Sequence, residues 1–241
     1  MNNILSNLTP VVKNLLIINI ICFIGTAIFE PANDLLGVYY PDSKFFWLWQ
    51  PITYMFMHGG FTHLFFNMFA LVMFGPVIER MFGSKRFLNY YLICALGALV
   101  LQYGVQAYEV NSIMGSPFAK NELISYTIGN KAGFIPNNPN MFSIQDVSTI
   151  FSIYSTPMVG ASGAIFGLLL AFAYLFPNMP LYFMFIPVPI KAKYFVGAYI
   201  LIEVYLGFNN SGSSIAHLAH VGGALFGYIL IKTWKIKRGY Y

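Results

Sequence analysis

Gly160-Ala161-Ser162-Gly163-Ala164-Ile165-Phe166-Gly167 is the stretch on which the reading of this chain turns. It opens an apolar run that reaches Phe176 and sets one hydroxyl, Ser162, among residues with almost no side chain. A hydroxyl inside a membrane span needs a partner or a purpose. Two readings compete. Gly163 and Gly167 form a small-xxx-small pair, the mark of close helix packing. Alternatively Ser162 is a nucleophile, and the glycines leave room for a substrate backbone to approach.

The surroundings of this stretch are membranous. The 241 residues are 58% hydrophobic and only 9% charged, with a mean hydropathy of +0.65. Soluble domains are near half apolar and a quarter charged, so a soluble globular domain is excluded. Cys22 and Cys94 both fall inside apolar runs and read as buried thiols, not as a disulfide framework or metal ligands. Met1–Pro10 is polar, and no cleavage site follows the first apolar run at a suitable distance for a signal peptide.

Six apolar segments are expected as spans: 12–29, 61–78, 87–105, 159–176, 194–208 and 215–234. Several fall short of the ~20 residues that cross a bilayer upright. Basic clusters follow the second, fourth and sixth: Arg80, Lys85 and Arg86; Lys191 and Lys193; Lys232, Lys235, Lys237 and Arg238. With Lys13, one side holds 10 of the 13 lysines and arginines, and the other holds Lys44, Lys120 and Lys131. Basic loops stay inside, so both termini are expected in the cytoplasm and the span count is even. Residues 1–241 thus read as a single all-α polytopic membrane domain.

The first outer connection, Glu30–Gly60, carries Phe45, Phe46, Trp47 and Trp49, residues suited to the headgroup level. The second, 106–158, is rich in Asn, Gly, Pro and Ser, and is expected as an exposed cap with little regular structure. Within it, Ser143–Tyr154 is expected to form a short amphipathic helix ended by Pro157.

Depth separates the two readings of Ser162. Asn67 lies 13 residues before Arg80, Ser162 15 before Pro177, and His220 12 before Lys232. At ~1.5 Å per residue these are roughly 18–22 Å from the cytoplasmic side. All three spans run inward, so the three polar groups share one level in the outer half of the core. Unrelated packing positions have no reason to agree in depth, and the agreement favours the nucleophile. Serine needs a base, and His220 is the candidate. Gly223 and Gly227 would let the sixth helix approach the fourth, where Gly163 and Gly167 answer. Phe166, one turn below Ser162, would support the imidazole. Asn67 and His63, with the Ser162 backbone N–H, are candidate oxyanion donors. Glu203 is the nearest carboxylate, and a Ser–His dyad is expected in preference to a triad. His58 and His217 read as structural hydrogen-bonding groups, and Glu203 as the one carboxylate that could orient the base, cap a polar pocket or pair with a neighbouring span. A metal site on the four histidines is disfavoured by the lack of a His-Glu-x-x-His pair or a carboxylate cluster.

These residues resemble the rhomboid intramembrane serine proteases. Gly160-Ala161-Ser162-Gly163 is similar to their nucleophile motif, and Ala219-His220-Val221-Gly222-Gly223 to their catalytic-histidine motif. His63-Leu64-Phe65-Phe66-Asn67 is similar to their oxyanion pair, and Glu79–Ser84 to the turn after their second span. The resemblance implies a six-helix bundle with a water-filled cavity opening outward, and cofactor-free hydrolysis of peptide bonds in or near transmembrane segments. It implies transmembrane protein substrates entering sideways past the fifth helix, and no metal. The lipid bilayer is the other expected partner, and no nucleic acid is. The plain six-span form suggests a bacterial cytoplasmic membrane. In one departure, the family often has Trp-Arg in the first outer connection, where this chain has Trp49-Gln50-Pro51. The rival readings are a silent relative that binds membrane proteins, and a histidine-based metal or ion transporter.

Overall fold

A computed structural model describes residues 8–29, 31–128, 131–183, 186–209 and 214–236. Lys237 and Arg238 of the last basic cluster lie outside the described residues. The chain is predominantly helical: α1 (Pro10–Ile28), α2 (Ala32–Leu36), α3 (Gln50–Thr53), α4 (Phe61–Phe82), α5 (Ser84–Met114), α6 (Ile144–Ser155), α7 (Ser162–Leu175), α8 (Ala192–Asn209) and α9 (Ser214–Thr233). Two antiparallel hairpins interrupt it: β1 (Leu123–Ile128) with β2 (Lys131–Pro136), and β3 (Pro180–Phe183) with β4 (Ile186–Lys191). Among the described residues, α1, α4 and α5 are long and apolar enough to cross a membrane. The chain is a helical polytopic membrane protein, and the apolar side chains of α1 and α4 that face outward suit lipid.

Glu79 ties the entry of the bundle together. Its carboxylate accepts the backbone N–H groups of Val11 and Val12 at 3.1 and 3.0 Å, and the Ser84 hydroxyl at 2.6 Å. The first N–H groups of a helix lack intrahelical partners, and a carboxylate there also meets the positive end of the helix dipole. One side chain thereby joins the start of α1, the end of α4 and the start of α5. Gly83, at φ +76°, makes the sharp turn between α4 and α5 in a backbone region that side chains rarely adopt.

The centre of the bundle is α5, α7 and α9, whose mutual contacts are the most extensive. Small residues set their spacing. A Cβ on Gly223 of α9 would collide with the Gly163 carbonyl of α7. One on Gly227 would lie 3.2 Å from the Gly167 Cα, and one on Gly167 3.3 Å from the Gly223 carbonyl oxygen. Gly163 itself faces Ala98 of α5, and Gly222 faces the Ala98 Cα and the Gly97 carbonyl. The Tyr90 hydroxyl of α5 donates to the Gly167 carbonyl at 2.8 Å. The glycines therefore close a three-helix seam. α8 lies outside it, against α9 more than α7.

The second outer connection differs from its sequence-based reading. α5 continues to Met114, nine residues past the expected end at Val105. The β1–β2 hairpin and α6 follow, and Tyr40, Val110, Leu123, Phe134, Ile150, Ile153 and Tyr154 form a second small core. α6 begins at a capping box, with Ser143 and Asp146 bonded reciprocally. Asp42 accepts the Tyr154 hydroxyl at 2.9 Å and the Lys120 N–H at 2.9 Å, and Ser43 donates to the Tyr154 carbonyl at 2.6 Å. Polar composition suggested an irregular cap, but apolar residues spaced through it bury against one another and against the first outer connection.

Candidate active site

Ser162 is the first residue of α7. Its backbone N–H therefore lacks an intrahelical acceptor and points out of the helix start, where the dipole favours negative charge. The approach to that helix is held from both sides. Val38 and Met158 exchange backbone bonds at 2.9 and 2.8 Å, and the Gly160 N–H donates to the Tyr54 carbonyl at 3.0 Å. Gly160 has φ +133°, and a Cβ there would lie 2.8 Å from the His63 imidazole and 3.6 Å from the Ser162 hydroxyl. The missing side chain is what lets His63 and Ser162 stand on either side of one backbone position.

His220 is placed by two contacts. Its ring lies parallel to that of Phe166, with centroids 4.3 Å apart and planes 6° from parallel. Its Nδ1 is 2.9 Å from Glu203 Oε2. The Gly223–Gly163 contact lies one turn further along α9, adjacent to Ser162 in sequence, so it sets the height of His220 against the start of α7. Among the described residues no direct hydrogen bond joins Ser162 to His220. The scaffold brings the two ends together, and catalytic hydrogen bonds are often long without substrate.

Glu203, read from sequence as the one carboxylate that could orient the base or pair with a neighbouring span, sits beside the expected base. It is 5% exposed and also meets His217 Nδ1, at 2.7 Å, through the same oxygen. His217 and His220 are one turn apart on α9, and Glu203 reaches them from α8. The three donor atoms lie within 4.8 Å of one another, and two imidazoles with one carboxylate are a suitable ligand set for a borderline metal such as zinc. The four histidines alone did not suggest this cluster.

On α4, Asn67 is buried, and its Nδ2 has no hydrogen-bond partner among the described residues. An unpaired buried amide is unfavourable by about 1–3 kcal/mol, so this donor is held ready for an acceptor. His58, 1% exposed, meets His63 edge-on with ring centroids 5.1 Å apart. Burial, aided by the neighbouring His63 and opposed by the Phe56 backbone, pushes the His58 pKa down to about 4. His58 is therefore a neutral ring at physiological pH.

Gln50 occupies the position where the resemblance led us to expect arginine. It is fully buried and binds the first outer connection at several points. Its Oε1 accepts the Trp47 N–H at 3.0 Å and the Tyr39 N–H at 3.4 Å, and its Nε2 donates to the Phe45 carbonyl at 3.1 Å. A neutral amide, both donor and acceptor, holds this loop without a guanidinium. Trp47 and Trp49 stack beside it, partly exposed.

A family model of the rhomboid domain matches residues 46–235, and the chain belongs to the rhomboid family. It is 30% identical over 190 residues to RHOMBOID-like protein 12, mitochondrial, of Arabidopsis thaliana, which covers 78% of this chain and 46% of that protein. It is 28% identical over 191 residues to the Rhomboid protease AarA of Providencia stuartii, covering 76% and 54%. It is 29% identical over 181 residues to the Rhomboid protease GluP of Bacillus subtilis, covering 75% and 25%. The chain spans about half or less of the length of these relatives, which are both bacterial and mitochondrial.

Proposed function

We propose that this protein is an intramembrane serine endopeptidase that cleaves peptide bonds in or near the transmembrane segments of other membrane proteins. The single observation that carries the reading is the closure of α9 onto α7 by Gly223 and Gly163, with His220 stacked on Phe166 one turn from Ser162. Family membership, and relatives named as proteases, support it.

In this reading α1, α4, α5, α7, α8 and α9 are six spans with both termini on the side of the basic clusters, the cytoplasmic side in a bacterial membrane. The site then opens to the opposite side. Substrate enters past α8, the least embedded of the helices about the site. Ser162 Oγ attacks the scissile carbonyl carbon while its proton passes to His220. The tetrahedral oxyanion is met by the Ser162 N–H, the Asn67 amide and His63. His220 returns the proton to the leaving amine, and a water repeats the sequence on the acyl-enzyme.

The test is cleavage of single-span substrates by the purified protein in liposomes. Ser162→Ala and His220→Ala should each abolish it, and a fluorophosphonate should label Ser162 in the parent and not in His220→Ala. Cleavage that survives Ser162→Ala overturns the proposal. Cleavage lost to EDTA and restored by zinc would instead assign the Glu203–His217–His220 cluster to a metal.

A further inference from the structure

The chemistry of His220 raises a question that a serine–histidine pair leaves open: what decides which ring nitrogen carries the proton. A neutral imidazole has one N–H and one lone pair. A general base facing Ser162 needs its lone pair on that side, and nothing in Ser162 itself enforces this.

Glu203 supplies the missing constraint. Its Oε2 lies 2.9 Å from His220 Nδ1 and 2.7 Å from His217 Nδ1. A carboxylate accepts and does not donate, so each Nδ1 carries the hydrogen. The lone pair of His220 is then on Nε2, the ring edge away from Glu203. The Phe166 ring, 6° from parallel, fixes the tilt of the imidazole, and the Glu203 bond fixes its rotation. The second histidine has its own part. By donating to the same oxygen, His217 holds the carboxylate in one rotamer. Both histidines stand on one face of α9, three residues apart, while the carboxylate comes from α8, so the arrangement also joins the outlying helix to the seam.

We infer that Glu203 is a positioning residue for His220, so that the protein works with a Ser162–His220–Glu203 relay in which His217 locks the carboxylate. The inference rests on the serine-peptidase reading above. When Ser162 Oγ bonds to the substrate carbon, its proton moves to His220 Nε2. The Nδ1 proton stays on the ring, and the resulting imidazolium faces the Glu203 carboxylate, which remains ionised. The Nε2 proton then passes to the leaving amine as the C–N bond breaks. No other group is consumed.

Glu203→Gln is the discriminating change, because it keeps the shape while offering an N–H where a lone pair stood. Its amide oxygen can still accept both Nδ1 hydrogens, as Oε2 does, but no negative charge is left to balance the imidazolium. Cleavage of a single-span substrate in liposomes should lose on the order of 10²- to 10⁴-fold in kcat, with KM within twofold. Fluorophosphonate labelling of Ser162 should slow in proportion, and Glu203→Asp should recover part of the loss. Histidine ¹⁵N spectra of the unmodified protein should show His220 protonated at Nδ1, and spectra of Glu203→Leu, which offers Nδ1 no acceptor, should lose that preference. The spectrum of the parent decides the matter even if a variant fails to fold: a parent His220 protonated on Nε2 overturns the inference. A Glu203→Gln protein with kcat within twofold, alongside an inactive Ser162→Ala, also overturns it and leaves the nucleophile in place. An active Ser162→Ala overturns the underlying reading instead.

Discussion

His58 and His63 meet edge-on, 5.1 Å and 66° apart; His217 and His220 meet edge-on, 6.5 Å and 88° apart. The geometry is nearly shared and the environment is opposite. The second pair converges on the Glu203 carboxylate. For the first pair, among the described residues, no carboxylate lies within hydrogen-bonding reach, and His58 is buried at 1% exposure. The same side chain, on the proposed mechanism, serves as a base where a carboxylate backs it, and His58 is a neutral polar ring where burial surrounds it. On the proposed mechanism the two pairs flank the reacting carbonyl, one taking protons and the other helping to receive negative charge.

Four experiments would break or sharpen this contrast. The largest effect is expected for His220→Ala, which removes the base and should lower kcat by on the order of 10⁴-fold or more; a loss below tenfold in a single-turnover assay erases the distinction between the pairs. Asn67→Ala takes a donor from the opposite side and should cost on the order of 10²- to 10³-fold in kcat with little change in KM. Steady-state rates within twofold of the parent would remove Asn67 from oxyanion binding. Gly223→Ala pushes α9 off the Gly163 carbonyl, moving the second pair and leaving the first in place. We expect a lower Tm and a kcat loss of about 10²-fold, the effect of a shift near 1 Å; an unchanged melting curve would show that the seam has slack.

The smallest effect concerns His58 and appears only in stability. Its folded pKa of about 4 lies below the 6.5 of an exposed imidazole. The unfolded chain therefore takes up a proton that the folded one refuses. Stability is full above pH 6.5 and falls as the pH drops from 6.5 toward 4, by at most about 1.4 kcal/mol per pH unit. His58→Phe should flatten that part of the Tm–pH curve, and an equally steep curve would assign the acid sensitivity to another group.

Much of this was legible in the chain before any coordinates. The apolar runs around Ser162 and His220 coincide with α7 and α9 to within three residues at each end, because hydropathy and helix length are local properties. The small residues of α7 and α9 announced a close approach for the same reason. What sequence could not supply was the direction of each side chain. Gly163 was expected to answer α9 with its own bare face, whereas that face meets Ala98 and it is the carbonyl that touches Gly223. α5 was absent from the expected seam although Ala95-Leu96-Gly97-Ala98 is a compact small-residue stretch, because which helix such a stretch faces depends on how the helices pack. Glu203 was visible as a charge in an apolar run, but its reach to α9 depends on how two helices face each other. The i,i+3 pair His217 and His220 was the available signal, since two imidazoles on one helix face invite a shared partner. Within the 106–158 connection the short helix at Ile144–Ser155 was expected, but composition hid the hairpin, whose corners the turn residues mark.

The seam between α7 and α9 also bears on how such a protein is made safely. On the proposed roles, the ribosome delivers Ser162 well before His220, and 71 residues follow Ser162 before α9 ends at Thr233. At 5–20 residues per second that is an interval of roughly 4 to 14 s. Glu203 follows Ser162 by 41 residues and His220 by 58, so for most of that interval the nucleophile lacks its base, and the glycine face of α9 that would seat it is complete only with Gly227. On the proposed roles, an unfinished chain would not yet hold the assembled site. Activity would then wait for α9 to seat against α7.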